Sequence, residues 1–190
     1  MNNTDFTLSS VLKEQTEEAH KALEAVLVRK IKALKTKEEY EHLLYKIYGF
    51  HNPMEQWFDK YLDNDIVPSY TIRRKSDLIL NDLANLGNDN VLIPLANDLP
   101  EINSLAKALG AFYVLEGSTN GGTIVANMLI NYARMTPETT SFFYAYGDDK
   151  SLWKSFKHHI DTYTAESDFS DEMVAAANET FVKFREWMLK

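Results

Sequence analysis

The chain of 190 residues has no cysteine. That removes disulfides, thiolate nucleophiles, iron–sulfur clusters and cysteine–zinc sites together. Proline is scarce, at 5 residues, and no linker rich in Pro, Gly or Ser, no internal repeat and no low-complexity tract divides the sequence. A single domain over 1–190 is expected, long enough for a sizeable core. Long apolar runs are missing too. The longest, ALGAFYVL, falls far short of the ~20 residues that a spanning helix needs, so no membrane partner is expected. The opening MNNTDFTLSS has neither a charged n-region nor an apolar h-region, and the expected location is cytoplasmic. Positive charge is in deficit: 20 Lys and Arg against 28 Asp and Glu give a net charge of −8. A general nucleic-acid or anionic-membrane surface is excluded, and an anionic ligand needs a local basic cluster. Alternating β-branched runs are also lacking, so no sheet is expected.

Helical signals are what the sequence does contain. TLSS opens a first helix to about Leu27, with Leu8, Leu12, Ala19, Leu23 and Val26 on one stripe. Thr36 and Glu39 form a capping box for a second, whose apolar face carries Tyr40, Leu44, Ile47, His51 and Met54 and which Pro53 should kink. A third spans about Ile72 to Leu86 and stops at Gly87. The fourth runs from about Ile102 to Arg134 with an interruption. Asp148 or Asp149 caps a fifth, with Trp153, Phe156 and Ile160 inward. Ser170 caps the last, burying Met173, Ala177, Phe181, Phe184 and Met188. The expected class is all-α, a single-domain helical bundle.

Glycine is as scarce as proline, yet four of only 7 glycines (Gly110, Gly117, Gly121 and Gly122) interrupt that fourth helix. Each costs a helix roughly 0.5–1 kcal/mol relative to alanine. The stretch LEGSTNGG is no phosphate loop, because Thr123 stands where the lysine belongs and no strand precedes it. Nor is it a nucleophile elbow, because Ser118 is one place early for G-x-S-x-G. Two readings remain open from these residues: close helix packing, or a flat ligand lying across a bent helix.

A partner for such a ligand is found in LKEQTEEAHKALE. On the helical wheel His20 flanks the core stripe, and Lys13 points nearly the same way ~10 Å along the axis. Glu24, at i+4, can reach the second imidazole nitrogen. One nitrogen of a neutral imidazole can ligate a metal while the other donates to an oriented acceptor. A surface His–Glu pair is the plainer alternative. Glu17/His20 and Glu39/His42 also have the Glu-x-x-His spacing of di-iron bundles, but His42 points away from the core face and Glu39 serves as a cap.

LKEQTEEAHKALE, followed in mid-chain by LGAFYVLEGSTNGG, resembles the haem oxygenase family, in particular its bacterial biliverdin-forming group. The likeness extends to RRKSDLILNDLANLG, FFYAYGDDKSLWKSF and AAANETFVKFREW, so it covers most of the chain in order. It implies an all-α fold with haem between a proximal N-terminal helix and a kinked distal helix. The implied activity is oxidative cleavage of haem to biliverdin, iron and CO with O2 and electrons from a separate reductase or ferredoxin. Haem would be both substrate and cofactor. By the same resemblance His20 is the iron ligand and Glu24 its hydrogen-bond partner. Gly117, Ser118, Gly121 and Gly122 form the distal, catalytic segment. Lys13 meets a propionate, with Lys154, Lys157 and His158 as further propionate contacts. Asn120 departs from the family pattern, which usually has an apolar residue there. The non-enzymatic alternative is a haem-binding or haem-transfer protein on the same fold.

Overall fold

The computed structural model describes residues 7–88, 92–165 and 167–190; the opening residues 1–6, read above for a targeting signal, lie outside them. Among the described residues there are helices and turns and no strand. The all-α expectation holds.

The first expected helix is two. α1 (Leu8–Gln15) and α2 (Glu17–Ala33) are interrupted at Thr16, whose hydroxyl folds back onto the Leu12 carbonyl at 2.7 Å. A Thr that bonds its own helix competes with the regular ladder. The single wheel that aligned Lys13 with His20 therefore does not apply across the break. The Thr36/Glu39 capping box is formed, and α3 (Lys37–Tyr61) continues through Pro53. A short 3-10 turn at Tyr70–Ile72 replaces the expected start of the next helix, so α4 covers only Asp77–Asn85. Its end is a Schellman motif: Gly87, at φ 80°, donates to Ala84, and Asn88 donates to Leu83.

The glycine-bearing helix divides into α5 (Leu105–Gly117), a 3-10 turn (Ser118–Gly121) and α6 (Gly122–Ala133). α7 (Ser151–Ile160) has Lys150 at its cap position, while Asp149 accepts from the Ser151 N–H at 2.8 Å just ahead of it. α8 (Asp168–Leu189) is capped by Ser167 and not by Ser170. Ser170 sits at the third helical position and completes the capping box.

α5 is buried on almost every side from Ala106 to Glu116, as expected of a helix apolar all round. It lies along α8, with α3 across the pair and α1 and α2 on another side of α8. The core joins Phe50 of α3 to Phe184 of α8, stacked at 4.5 Å, and Phe58 to Phe112 edge-on at 5.5 Å. α2 also packs against α6, which fixes the N-terminal histidine helix relative to the bend. No helix among the described residues is long and apolar enough to cross a membrane.

Candidate functional site

The bend between α5 and α6 is written into three consecutive polar residues. Ser118, Thr119 and Asn120 each donate a side-chain hydrogen bond to the carbonyl three residues back, at 2.6, 2.7 and 3.1 Å. Side chains that serve carbonyls in this way tighten and bend a helix. The amide of Asn120, the departure noted above, is thus engaged on the Gly117 carbonyl.

The four glycines around this bend do different things. A Cβ on Gly110 would stand 2.1 Å from the Met173 carbonyl oxygen, and one on Gly122 would stand 2.1 Å from that of Phe143. These two let backbones touch, which is the packing reading. A Cβ on Gly117 would meet only the ring of Trp153, at 3.3 Å, and one on Gly121 meets nothing within 4 Å. At Gly121 the absence of a side chain keeps space open.

Behind the bend lies a buried polar clamp. Arg73 and Glu116 form an ion pair with side chains 1 % and 3 % exposed. Arg73 also donates to the carbonyls of Pro68 at 2.8 Å and Leu152 at 3.0 Å. Its neighbour Arg74 donates to Ser118 Oγ at 2.7 Å and to the Leu115 carbonyl at 2.8 Å, and its backbone N–H donates to the Tyr146 hydroxyl. Ser118 therefore accepts from Arg74 and spends its own proton on Leu115. Below them His51 is buried against Phe142 and Phe184, with ring centroids 5.3 and 5.6 Å away. Burial, and then the Arg74 charge, hold its pKa well below the usual imidazole value. Glu55, which accepts from Ser76 Oγ at 2.6 Å, is pushed up chiefly by burial. A cavity of about 20 Å³ among His51, Glu55, Arg74 and Glu116 has room for one water molecule.

In front of the bend the side chains are less committed. His20 is exposed on α2, its ring resting on Phe181 of α8 at 5.4 Å. Four residues earlier, Thr16 lies near the Tyr113 hydroxyl; Tyr113 touches Trp153 at 5.2 Å, and Trp153 covers Gly117. Tyr113 and Trp153 thus lie between the start of α2 and the bend. Glu24 and Lys13 are exposed, and among the described residues no hydrogen bond joins Glu24 to His20. On α7, Lys154 and His158 are exposed, and Lys157 Nζ lies 5.8 Å over the Trp153 ring. Sequence reasoning missed Tyr113, Phe181, Arg73 and Arg74. The dipeptide RR beside a buried Glu was the one available signal. Glu39, half of the di-iron reading, is spent on the N–H groups of Lys35 and Thr36.

With this geometry in view, the family model described as heme oxygenase matches residues 6–190. The chain belongs to the haem oxygenase family. No curated protein sequence matches it. Among solved structures, the NO- and CO-bound heme oxygenase from Neisseria meningitidis superposes with a TM-score of 0.77 at 21 % identity, over 96 % of this chain and 92 % of that one. Heme oxygenase from Leptospira interrogans gives 0.74 at 17 % identity, over 96 % and 98 %. At such identities the likeness speaks for the haem oxygenase fold, which is all-α in these neighbours as here.

Proposed function

We propose that this member of the haem oxygenase family is an enzyme that degrades haem, cleaving it oxidatively to biliverdin with release of iron and CO. The observation that carries the reading is an exposed imidazole, His20 on α2, together with Gly121, whose missing side chain leaves open space at the turn leading into α6, the helix that α2 packs against. A planar macrocycle needs both an axial nitrogen donor and a backbone it can approach closely. The residues present fit that need.

Bound haem would bring the redox iron and would itself be the ring that is cut, with O2 and external electrons consumed. The chain supplies the rest. His20 would ligate the iron, its ring resting on Phe181. Glu24 lies one turn on and orients the imidazole once a ligand draws the two together. Gly117 and Gly121 let the bend lie against the macrocycle, while Gly122 holds the bend to the Phe143 backbone. Lys13, Lys154, Lys157 and His158 meet the propionates, a local basic set on a chain of net charge −8. Ser118, which accepts from the Arg74 guanidinium, keeps one lone pair that would position an ordered water as a proton donor beside the bound ligand. Tyr113 and Trp153 keep bulk water out. Electrons come from a separate reductase or ferredoxin, in the cytoplasm.

The test is optical. Hemin added to the protein should give a Soret band that decays to biliverdin absorbance once a reductant is supplied in air. A ferrous or ferric haem spectrum that stays intact would make the protein a haem carrier and overturn the enzymatic reading. No Soret shift would overturn haem binding itself. His20→Ala should lose the axial-imidazole spectrum, and an unchanged one would remove His20 as the ligand.

A further inference from the structure

None of the residues lining a second cleft belongs to the site above. Helices α3 and α8 and the segment 92–96 enclose an open space of about 260 Å³, lined by His42, Tyr45, Lys46, Leu92, Pro94 and Trp187. Gly49 makes the cleft possible. A Cβ there would stand 2.4 Å from the Pro94 carbonyl oxygen, and the bare backbone instead accepts the Ala96 N–H at 2.9 Å. The segment is thereby strapped to α3. Trp187 is equally fixed: its Nε1–H donates to the Lys46 carbonyl at 2.7 Å, and the Lys46 ammonium lies 4.3 Å over the indole.

The walls are apolar and the charge is one-sided. Leu92, Leu95 and Leu189 are 95, 47 and 60 % exposed at the rim or beside it, more apolar surface than a solvated face requires. Lys30 and Lys190 are close enough to Lys46 that, after burial, their charges lower its pKa. Two acids near the cleft are already paired. Glu41 has Lys37 at 3.5 Å and accepts from Asn88, and Asp98 is paired with Lys183. Three neighbouring lysines on a chain of net charge −8 favour an anion at this cleft.

We propose that this cleft binds a small amphipathic carboxylate, its rings against Pro94, Leu92 and Trp187 and its carboxylate on Lys46. Volume sets the class. Pockets for drug-sized ligands run to roughly 300–1,000 Å³, so this one takes a one- or two-ring acid and not a tetrapyrrole. The proposal does not depend on the haem reading, since no residue is shared.

The experiment titrates 1-naphthoate into the full chain and follows the indole N–H signals of Trp57, Trp153 and Trp187 by NMR, with Trp187 assigned from Trp187→Phe. The Trp187 signal should move and saturate. The neutral isostere 1-naphthalenemethanol should bind about tenfold more weakly, since a charge-assisted contact at a partly buried lysine is worth that ratio. Lys46→Gln, which removes the charge and its contact on the Trp187 ring but leaves the Trp187 bond to the residue 46 carbonyl, should abolish the difference. The Trp187 shift should persist with zinc protoporphyrin IX present. Equal binding of acid and alcohol, a Trp153 shift with Trp187 still, or displacement by the porphyrin would each overturn the proposal.

Discussion

The two faces of the bent segment between α5 and α6 are built on opposite principles. Its back is jammed. Gly110 and Gly122 let backbones meet at distances no Cβ tolerates, Arg73 and Glu116 pair out of water, and Arg74 ties Ser118 to them at the surface. Elsewhere Gly121 faces open space, and on α2, which packs against α6, His20 is exposed with a ring contact to Phe181. Stability is invested in the back, where it fixes the shape of the bend. The front carries side chains that contribute little to the fold and are free to be spent on a ligand. Two adjacent residues thus differ in kind: Gly122 lets backbones touch, and Gly121 faces open space.

The strongest way to break this comparison is at the buried ion pair. Arg73→Met leaves Glu116 charged and unpaired at 3 % exposure, which should cost about 3–5 kcal/mol in urea unfolding. The double variant Arg73→Met/Glu116→Met should recover most of that loss. His20→Ala on the front should stay within about 0.5 kcal/mol of the parent. Equal losses at the two positions would erase the distinction between the faces. Next in size is Gly122→Ala. Its methyl has the Phe143 carbonyl oxygen at 2.1 Å and must push backbone aside, at about 1–3 kcal/mol.

Much of this was legible in the sequence and some of it was not, for reasons that can be stated. The capping box of α3, the stop at Gly87 and the apolar face of α8 depend on neighbours within one or two turns, and they read correctly. The division at Thr16 did not, because whether a Thr bonds its own helix or its surroundings is decided by contacts such as Tyr113, far along the chain. The shift of the last cap from Ser170 to Ser167 has the same character: both serines fit, and the box uses both. At the bend, spacing gave four equivalent glycines. Only the neighbours brought by α7, α8 and residue 143 separate them into two that meet backbone, one under the Trp153 ring and one facing open space. Glu24 shows the converse limit, since an i+4 spacing permits a bond to His20 that the folded chain leaves unformed.

A pH series sharpens the comparison from the back face. His51 is held neutral by burial and by Arg74, so its folded pKa lies below its unfolded value. The unfolded chain then binds the extra proton, and the His51 contribution is fully present above the unfolded pKa and falls as pH drops from about 6.5. The slope from this one group is bounded at about 1.4 kcal/mol per pH unit. Glu55 runs the other way. Its raised pKa means that its contribution is present below the usual glutamate range and lost as pH rises through the folded value. His51→Gln should flatten the loss between pH 6.5 and 5 in urea midpoints, and Glu55→Gln should remove the opposing drift. No change in either variant would mean that water reaches the back of the bend freely.

The smallest expected effect on stability is the most telling. Gly121→Ala adds a methyl that meets nothing within 4 Å, at a residue whose φ of −96° suits any side chain. By the unfolded-state argument alanine should stabilise the ligand-free protein by about 0.4–1 kcal/mol. The same methyl occupies the space that the haem reading assigns to the macrocycle, so haem affinity and turnover should fall while the melting temperature of the ligand-free protein rises. The paired measurement is thermal unfolding without haem and a Soret titration with it. Gly122→Ala should lower both. If Gly121→Ala instead behaved as Gly122→Ala does, the open space at the bend would be packing yet to close, and the segment would have a single kind of glycine after all.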